Sequence, residues 1–171
     1  MSVVYNGLPF KRFAFKNWPV VDLVNQVGYL LIIVLASWLC GVSQLNRPAL
    51  VFSAQFAMQS HLFGQVMDIE ADVSAGRKTT ASVLGVRNSK FLQVAFLAVL
   101  AGIAVQNFSG FLVEYFLGAA ALFFFVDALF IFKTKIYPSW FTKLFFVGWN
   151  IVVLISMHFV WRHGVFLLRD T

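Results

Sequence analysis

The sequence predicts an all-α integral membrane protein, a single membrane domain over residues 1–171 with about five transmembrane helices. Three observations carry that expectation. Hydrophobic residues make up 60% of the chain and charged residues 12%, well short of the roughly 25% charged content of soluble domains. Mean hydropathy is +0.82. The apolar residues gather in continuous runs close to the roughly 20 residues a helix needs to cross a bilayer. Because these runs are continuous instead of alternating, helices are expected and not a barrel, and helices also satisfy every peptide group internally.

The runs fall at residues 23–44, 49–67, 91–105, 111–132 and 140–161. Residues 1–22 form a basic lead-in, and Lys11, Arg12 and Lys16 interrupt any apolar core that a secretory signal would need. The second run passes directly into an acidic segment, and residues 68–90 read as a polar loop. The third run is short, and Asn107, Ser109 and Gly110 turn it into the fourth. Trp140 opens the fifth, with Trp18 and Trp161 near other span ends, where amphipathic rings settle at the lipid interface. Cys40, the sole cysteine, is placed within the first run, so no internal disulfide is possible.

Orientation follows from the basic residues in alternate loops. Lys11, Arg12, Lys16, Arg77, Lys78, Arg87, Lys90, Lys133, Lys135 and Lys143 share one side; only Arg47, Arg162 and Arg169 take the other. That asymmetry assigns the acidic segment, the lead-in and the 133–143 loop to the cytoplasmic face of the cell (inner) membrane. The net charge of +6 then reflects topology and attraction to anionic lipid. No basic groove interleaved with aromatics argues for nucleic acid.

Of the seven acidic residues, Asp68, Glu70 and Asp72 fall within one short stretch, followed by Gly76-Arg77-Lys78-Thr79-Thr80. On a helix, His61, Gln65, Asp68 and Asp72 share a sector of about 60°, whereas Glu70 points to the opposite side. Two carboxylates one turn apart repel unless a cation offsets them. Mg²⁺ suits such a pair, because it is usually held by one or two carboxylates together with substrate phosphates, and cysteine-rich zinc spacing is absent. The turn that follows supplies N–H groups, hydroxyls and cations for phosphate oxygens. The alternative is a solvated, charged loop at a membrane surface.

The stretch from Asp68 to Gly85, with Asp68, Asp72, Gly76-Arg77-Lys78-Thr79 and Leu84-Gly85, resembles the second aspartate-rich motif of the UbiA superfamily of intramembrane prenyltransferases. Upstream, Tyr5-Asn6-Gly7-Leu8-Pro9-Phe10-Lys11-Arg12 is similar to the segment that precedes that family's fifth helix, with a Tyr-to-Lys spacing like its chlorophyll-synthase-like and carotenoid-elongating branches. The resemblance implies helices five to nine of a nine-helix bundle. The family's first acidic motif has no counterpart in this sequence, so an amino-terminal half, as a separate chain or a continuation, is expected to complete the site.

The implied activity is Mg²⁺-dependent transfer of a prenyl group from an allylic prenyl diphosphate to an electron-rich, lipophilic acceptor in the membrane. The resemblance makes Asp68 and Asp72 metal ligands and catalytic, and Arg77 and Lys78 diphosphate clamps. Lys11, Arg12 and Tyr5 become further substrate-binding candidates. Asn25 and His61 are candidates for the acceptor pocket, against plain helix packing. Asp127, an acid inside the fourth run, is a functional candidate by position, but a snorkelling pair with Lys133 is the favoured reading. Glu114 is expected near the outer surface. The 21 phenylalanines can guide an isoprenoid tail or serve as lipid-facing bulk. Two other classes compete: a non-catalytic membrane subunit that binds isoprenoid lipid, and a small cation carrier using Asp68, Asp72 and Asp127.

Overall fold

Long stretches without proline or clustered glycine, rich in Leu, Ala, Phe and Val, leave helix as the conformation that pairs every peptide group inside the segment. The computed structural model describes residues 18–41, 47–107, 111–134 and 136–163, and no strand occurs among them. Helix α1 (Val21–Val24) runs through a 3-10 turn (Asn25–Tyr29) into α2 (Leu30–Leu39); α3 (Arg47–Ser74), α4 (Thr80–Asn107), α5 (Phe111–Leu129) and α6 (Ser139–His163) follow. Among the described residues, most of each apolar run lies on helix. Two segments, Val21–Leu39 and Thr80–Asn107, are by themselves long and apolar enough to cross a membrane.

The helices extend further into 68–90 than the apolar runs do, leaving only residues 75–79 outside helix. Local chemistry sets both ends of that short connection. At the end of α3, Gly76 takes φ +66, the Gly76 N–H donates to the Val73 carbonyl at 3.0 Å, and the Arg77 N–H donates to the Asp72 carbonyl at 2.8 Å. This double bond pattern is a Schellman cap, which needs a residue at ease in the left-handed region. At the start of α4, Thr79 is the cap, its Oγ1 accepting the Ser82 N–H at 3.3 Å. One turn later Gly85 breaks the helix at φ 77, ψ 165, a conformation essentially reserved for glycine.

Helix α4 packs between α3 and α5. Leu62 and Val66 of α3, Leu97 and Leu100 of α4, and Leu117 and Phe124 of α5 are buried at the contact. Helix α6 docks through rings: Phe145 lies 4.6 Å from Phe63, centroid to centroid, and Phe63 meets Phe124 edge-on at 5.4 Å. Aromatic pairs of this kind contribute roughly 0.5–1.5 kcal/mol beyond area burial. That term carries weight in a bilayer, where lipid tails are as apolar as leucine and packing, more than exclusion of water, holds helices together. Ile32, Leu35 and Trp38 on α2 and Leu144, Ile151 and Leu154 on α6 are large apolar side chains left exposed.

Two sequence expectations are corrected. Cys40 follows the last residue of α2 and is exposed, so it caps a helix instead of lying within one. Asp127 pairs with Lys90 of α4 and not with Lys133. Lys133 sits past the end of α5 at φ 49, where its backbone N–H, and not its ammonium, reaches the Asp127 carbonyl at 3.0 Å. Lys90, counted above among the basic residues of the cytoplasmic side, is 1% exposed.

Candidate functional site

The carboxyl-terminal end of α3 carries the acidic residues, and their helical spacing sends them to different surroundings. Asp72 is 6% exposed. One of its oxygens meets the Arg77 guanidinium at 3.2 Å, and the other accepts the Thr79 hydroxyl at 3.3 Å. The Schellman cap makes this possible, because it folds the chain back so that residues five and seven positions on face the Asp72 side chain. Asp68 and Glu70 are exposed, as are Gly76, Arg77 and Lys78.

Asp68 opens onto a cavity of about 420 Å³ between α3 and the start of α6, lined also by Tyr137, Ser139, Thr142, Lys143 and Phe146. A cation, two hydroxyls and a carboxylate thus share one wall system. A larger cavity of about 520 Å³ adjoins it at Phe146 and is walled by Phe63, Phe123 and Phe145, with Gln59 and Ser60 among its few polar neighbours. A polar cavity beside an apolar one, with a ring common to both walls, suits an amphiphile, whose tail gains from burial and whose head needs charge.

The acidic helix is tied to the lead-in by Asp22. This side chain accepts the Gln65 amide N–H at 2.6 Å, the Thr80 backbone N–H at 2.9 Å and the Thr80 hydroxyl at 2.5 Å. Gln65, on the predicted His61–Asp72 stripe, returns its carbonyl oxygen to the Ala81 N–H at 3.2 Å. His61 lies one turn before Gln65 and is half-buried, and Asn25 is half-buried in the 3-10 turn. Tyr5, Lys11 and Arg12 lie outside the described residues.

A second polar cluster joins α4, α5 and the segment that precedes α6. Lys90 and Asp127 approach to 2.8 Å, the Tyr137 hydroxyl donates to Asp127 at 2.6 Å, and the Phe132 N–H donates to the other carboxylate oxygen at 3.0 Å. The Lys90 ammonium lies 4.4 Å from the Tyr137 ring centroid. Burial, reinforced by the hydrogen bond to the Asp127 carboxylate and by its charge, pushes the Tyr137 phenol far above its ordinary range.

Asp68, Asp72, Arg77 and Lys78 are therefore brought to one end of α3, with Asp72 turned into its own loop and Asp68 toward the cavity. Residues that the motif reading passed over are Asp22, Thr142, Lys143 and Tyr137. For Asp22 a signal existed: it is an acid at the very start of an apolar run, and such acids demand partners. For Thr142 and Lys143 none did, because only packing of α6 against α3 sets them beside Asp68.

An Mg²⁺ ion needs few protein ligands when phosphates supply the rest. Asp68, exposed on a cavity wall, fits that need, whereas Asp72 would have to exchange Arg77 or Thr79. Among the described residues no group of three or more His, Cys, Asp or Glu side chains forms a metal cage.

Over 106 residues, 61% of this chain, the sequence is 36% identical to a lycopene elongase/hydratase of Haloferax volcanii, and the aligned stretch spans 33% of that protein's length. No solved structure matches the chain significantly. The UbiA prenyltransferase family matches residues 1–151, a stretch that takes in the lead-in, the acidic end of α3, the capped turn and the cavity beside Lys143, and the chain accordingly belongs to that family of membrane-embedded prenyltransferases.

Proposed function

We propose that this chain forms the second-motif half of a prenyltransferase that uses Mg²⁺ to move a prenyl group from an allylic diphosphate to an electron-rich acceptor dissolved in the membrane. In this reading the chain crosses the membrane five times, the excess of basic residues in alternate loops supports a cytoplasmic α3–α4 turn, and further helices, preceding this sequence or on another chain, complete the bundle. The observation that carries this reading is the exposed Asp68 carboxylate on a cavity that also holds Lys143, Ser139 and Thr142, at the same end of α3 as the Arg77-Lys78 loop.

In the reaction, the bond between the allylic carbon and the diphosphate oxygen breaks and its electron pair leaves with the diphosphate. The acceptor's π electrons form the new carbon–carbon bond, and a proton then departs from the acceptor. Bound Mg²⁺, held by Asp68 with Asp72 as second ligand, would supply positive charge to the departing diphosphate. Arg77 and Lys78 donate to its oxygens, which counts most where charge develops in a water-poor site. The Phe-walled cavity keeps the tail and the cationic carbon away from water. A carotenoid acceptor is the first to try, given the lycopene elongase/hydratase relative.

The test measures binding of geranyl thiolodiphosphate to the chain in nanodiscs, with and without Mg²⁺, and transfer in the assembly completed by its amino-terminal helices. Magnesium-dependent binding that is lost in Asp68→Asn supports the proposal. Binding indifferent to chelator, or transfer surviving in Asp68→Asn and Asp72→Asn, overturns it.

A further inference from the structure

Asp22 lies outside the acidic cluster and outside the α3–α4 turn, yet it is 1% exposed and accepts four hydrogen bonds. One oxygen takes the Leu23 N–H at 2.8 Å and the Thr80 hydroxyl at 2.5 Å. The other takes the Gln65 amide at 2.6 Å and the Thr80 N–H at 2.9 Å. Two donors per oxygen leave it little capacity to bind metal or substrate.

The first N–H groups of a helix have no partner within it. In α4 each of the first three is met from elsewhere: Thr80 by Asp22, Ala81 by Gln65 and Ser82 by Thr79. A carboxylate suits that place, because the helix dipole is positive there. Asp22 thus caps a helix that begins 58 residues later and, through Gln65, binds its start to α3 two turns before Asp72. The lead-in is held by the same group: the Val20 N–H donates to the Thr80 hydroxyl at 2.7 Å, with Val20 at φ 70. A β-branched residue keeps that conformation only where its surroundings impose it.

We propose that Asp22 is a positioning residue that fixes the cation loop 76–79 relative to Asp68. The loop runs between the Schellman cap on α3 and the first turn of α4, so its geometry is set only while both ends are fixed. Asp22 fixes the second. This inference rests on the reading of Arg77 and Lys78 as diphosphate clamps for its kinetic consequence, but not for its structural one. Asn at position 22 presents a single acceptor oxygen and an N–H₂ group facing two donors, so it cannot satisfy the set.

The experiment is limited trypsin digestion of the chain in nanodiscs, since Arg77 and Lys78 form an exposed cleavage site inside the loop and the exposed Lys143 serves as an internal control. Asp22→Asn should speed cleavage at 77–78 at least about tenfold while leaving cleavage after Lys143 within about twofold, the ratio expected when a charge-assisted hydrogen bond is lost. Thr80→Val should do the same in part, and Thr80→Ser should restore the wild-type rate, which mere loss of stability would not do. In the completed assembly, Asp22→Asn should raise KM for the prenyl diphosphate about tenfold with kcat within threefold. Unchanged cleavage at 77–78 in both Asp22→Asn and Thr80→Val overturns the positioning role, as does a rise matched by equal loss of protection at Lys143. If the wild-type chain fails to bind the diphosphate, the prenyl-transfer reading falls while the cleavage result still decides this one.

Discussion

Lys90 of α4 and Asp127 of α5 form an ion pair with Nζ and Oδ2 at 2.8 Å and side chains 1% and 0% exposed. Neither charge reaches solvent, and the pair is roofed by the Tyr137 and Phe132 rings, 4.4 and 5.8 Å from the ammonium. Removing one partner strands the other in a medium that cannot solvate it. Lys90→Met or Asp127→Leu alone should therefore destabilise the protein by about 3–5 kcal/mol. The double replacement should recover most of that loss, because the burial penalty of both charges disappears with their attraction. Unfolding in detergent, read as a double-mutant cycle, measures it.

Tyr137 belongs to the same cluster and carries its own pH signature. Its phenol is pushed up by burial, with the Asp127 hydrogen bond and charge adding to that. Below about pH 10, the ordinary tyrosine value, folded and unfolded chains are both protonated and the contribution is complete. Above it, the unfolded chain releases the proton while the folded one retains it, so stability falls as pH rises. An ultraviolet titration should show one tyrosine fewer ionising near pH 10 in the folded protein than in denaturant. Tyr137→Phe should remove that difference and flatten the alkaline loss of stability.

The two glycines that shape the turn should be sensitive for reasons of backbone, not space. Nothing lies within 4 Å of a Cβ built on Gly76 or Gly85, so alanine meets no clash. Gly85→Ala must nonetheless hold φ 77, ψ 165 and should cost about 1–3 kcal/mol. Gly76→Ala, at φ +66, should cost about 1 kcal/mol. Thermal unfolding of the two variants should rank them in that order, and equal midpoints would count against it.

Asp68 and Asp72 should separate on stability even if both abolish transfer. Asp72→Asn removes the charge that Arg77 pairs with and leaves one acceptor oxygen where Arg77 and Thr79 use two, so it should lower the melting temperature and loosen the turn. Asp68→Asn, exposed on the cavity wall, should leave stability unchanged and affect only Mg²⁺-dependent diphosphate binding. Paired melting and binding measurements on the two variants check the distinction.

Much of this architecture is written in local sequence. The apolar runs determine helices, because a chain with few polar side chains must pair its peptide groups within each segment. The stripe His61, Gln65, Asp68, Asp72 and the Gly76 punctuation determine where α3 ends and which chemistry gathers there, since helical period and the left-handed preference of glycine act over a few residues. The tertiary structure alone decided the partners. Lys90 and not Lys133 neutralises Asp127, because the nearest cation in sequence follows a helix end that points it away, while the distant one stands across a packed interface. Asp22 caps α4 for the same reason: a buried charge is satisfied by whatever donor the packing of helices brings within hydrogen-bond range, and sequence distance plays no part in that energy; the packing of α6 likewise sets Lys143 on the wall of the Asp68 cavity.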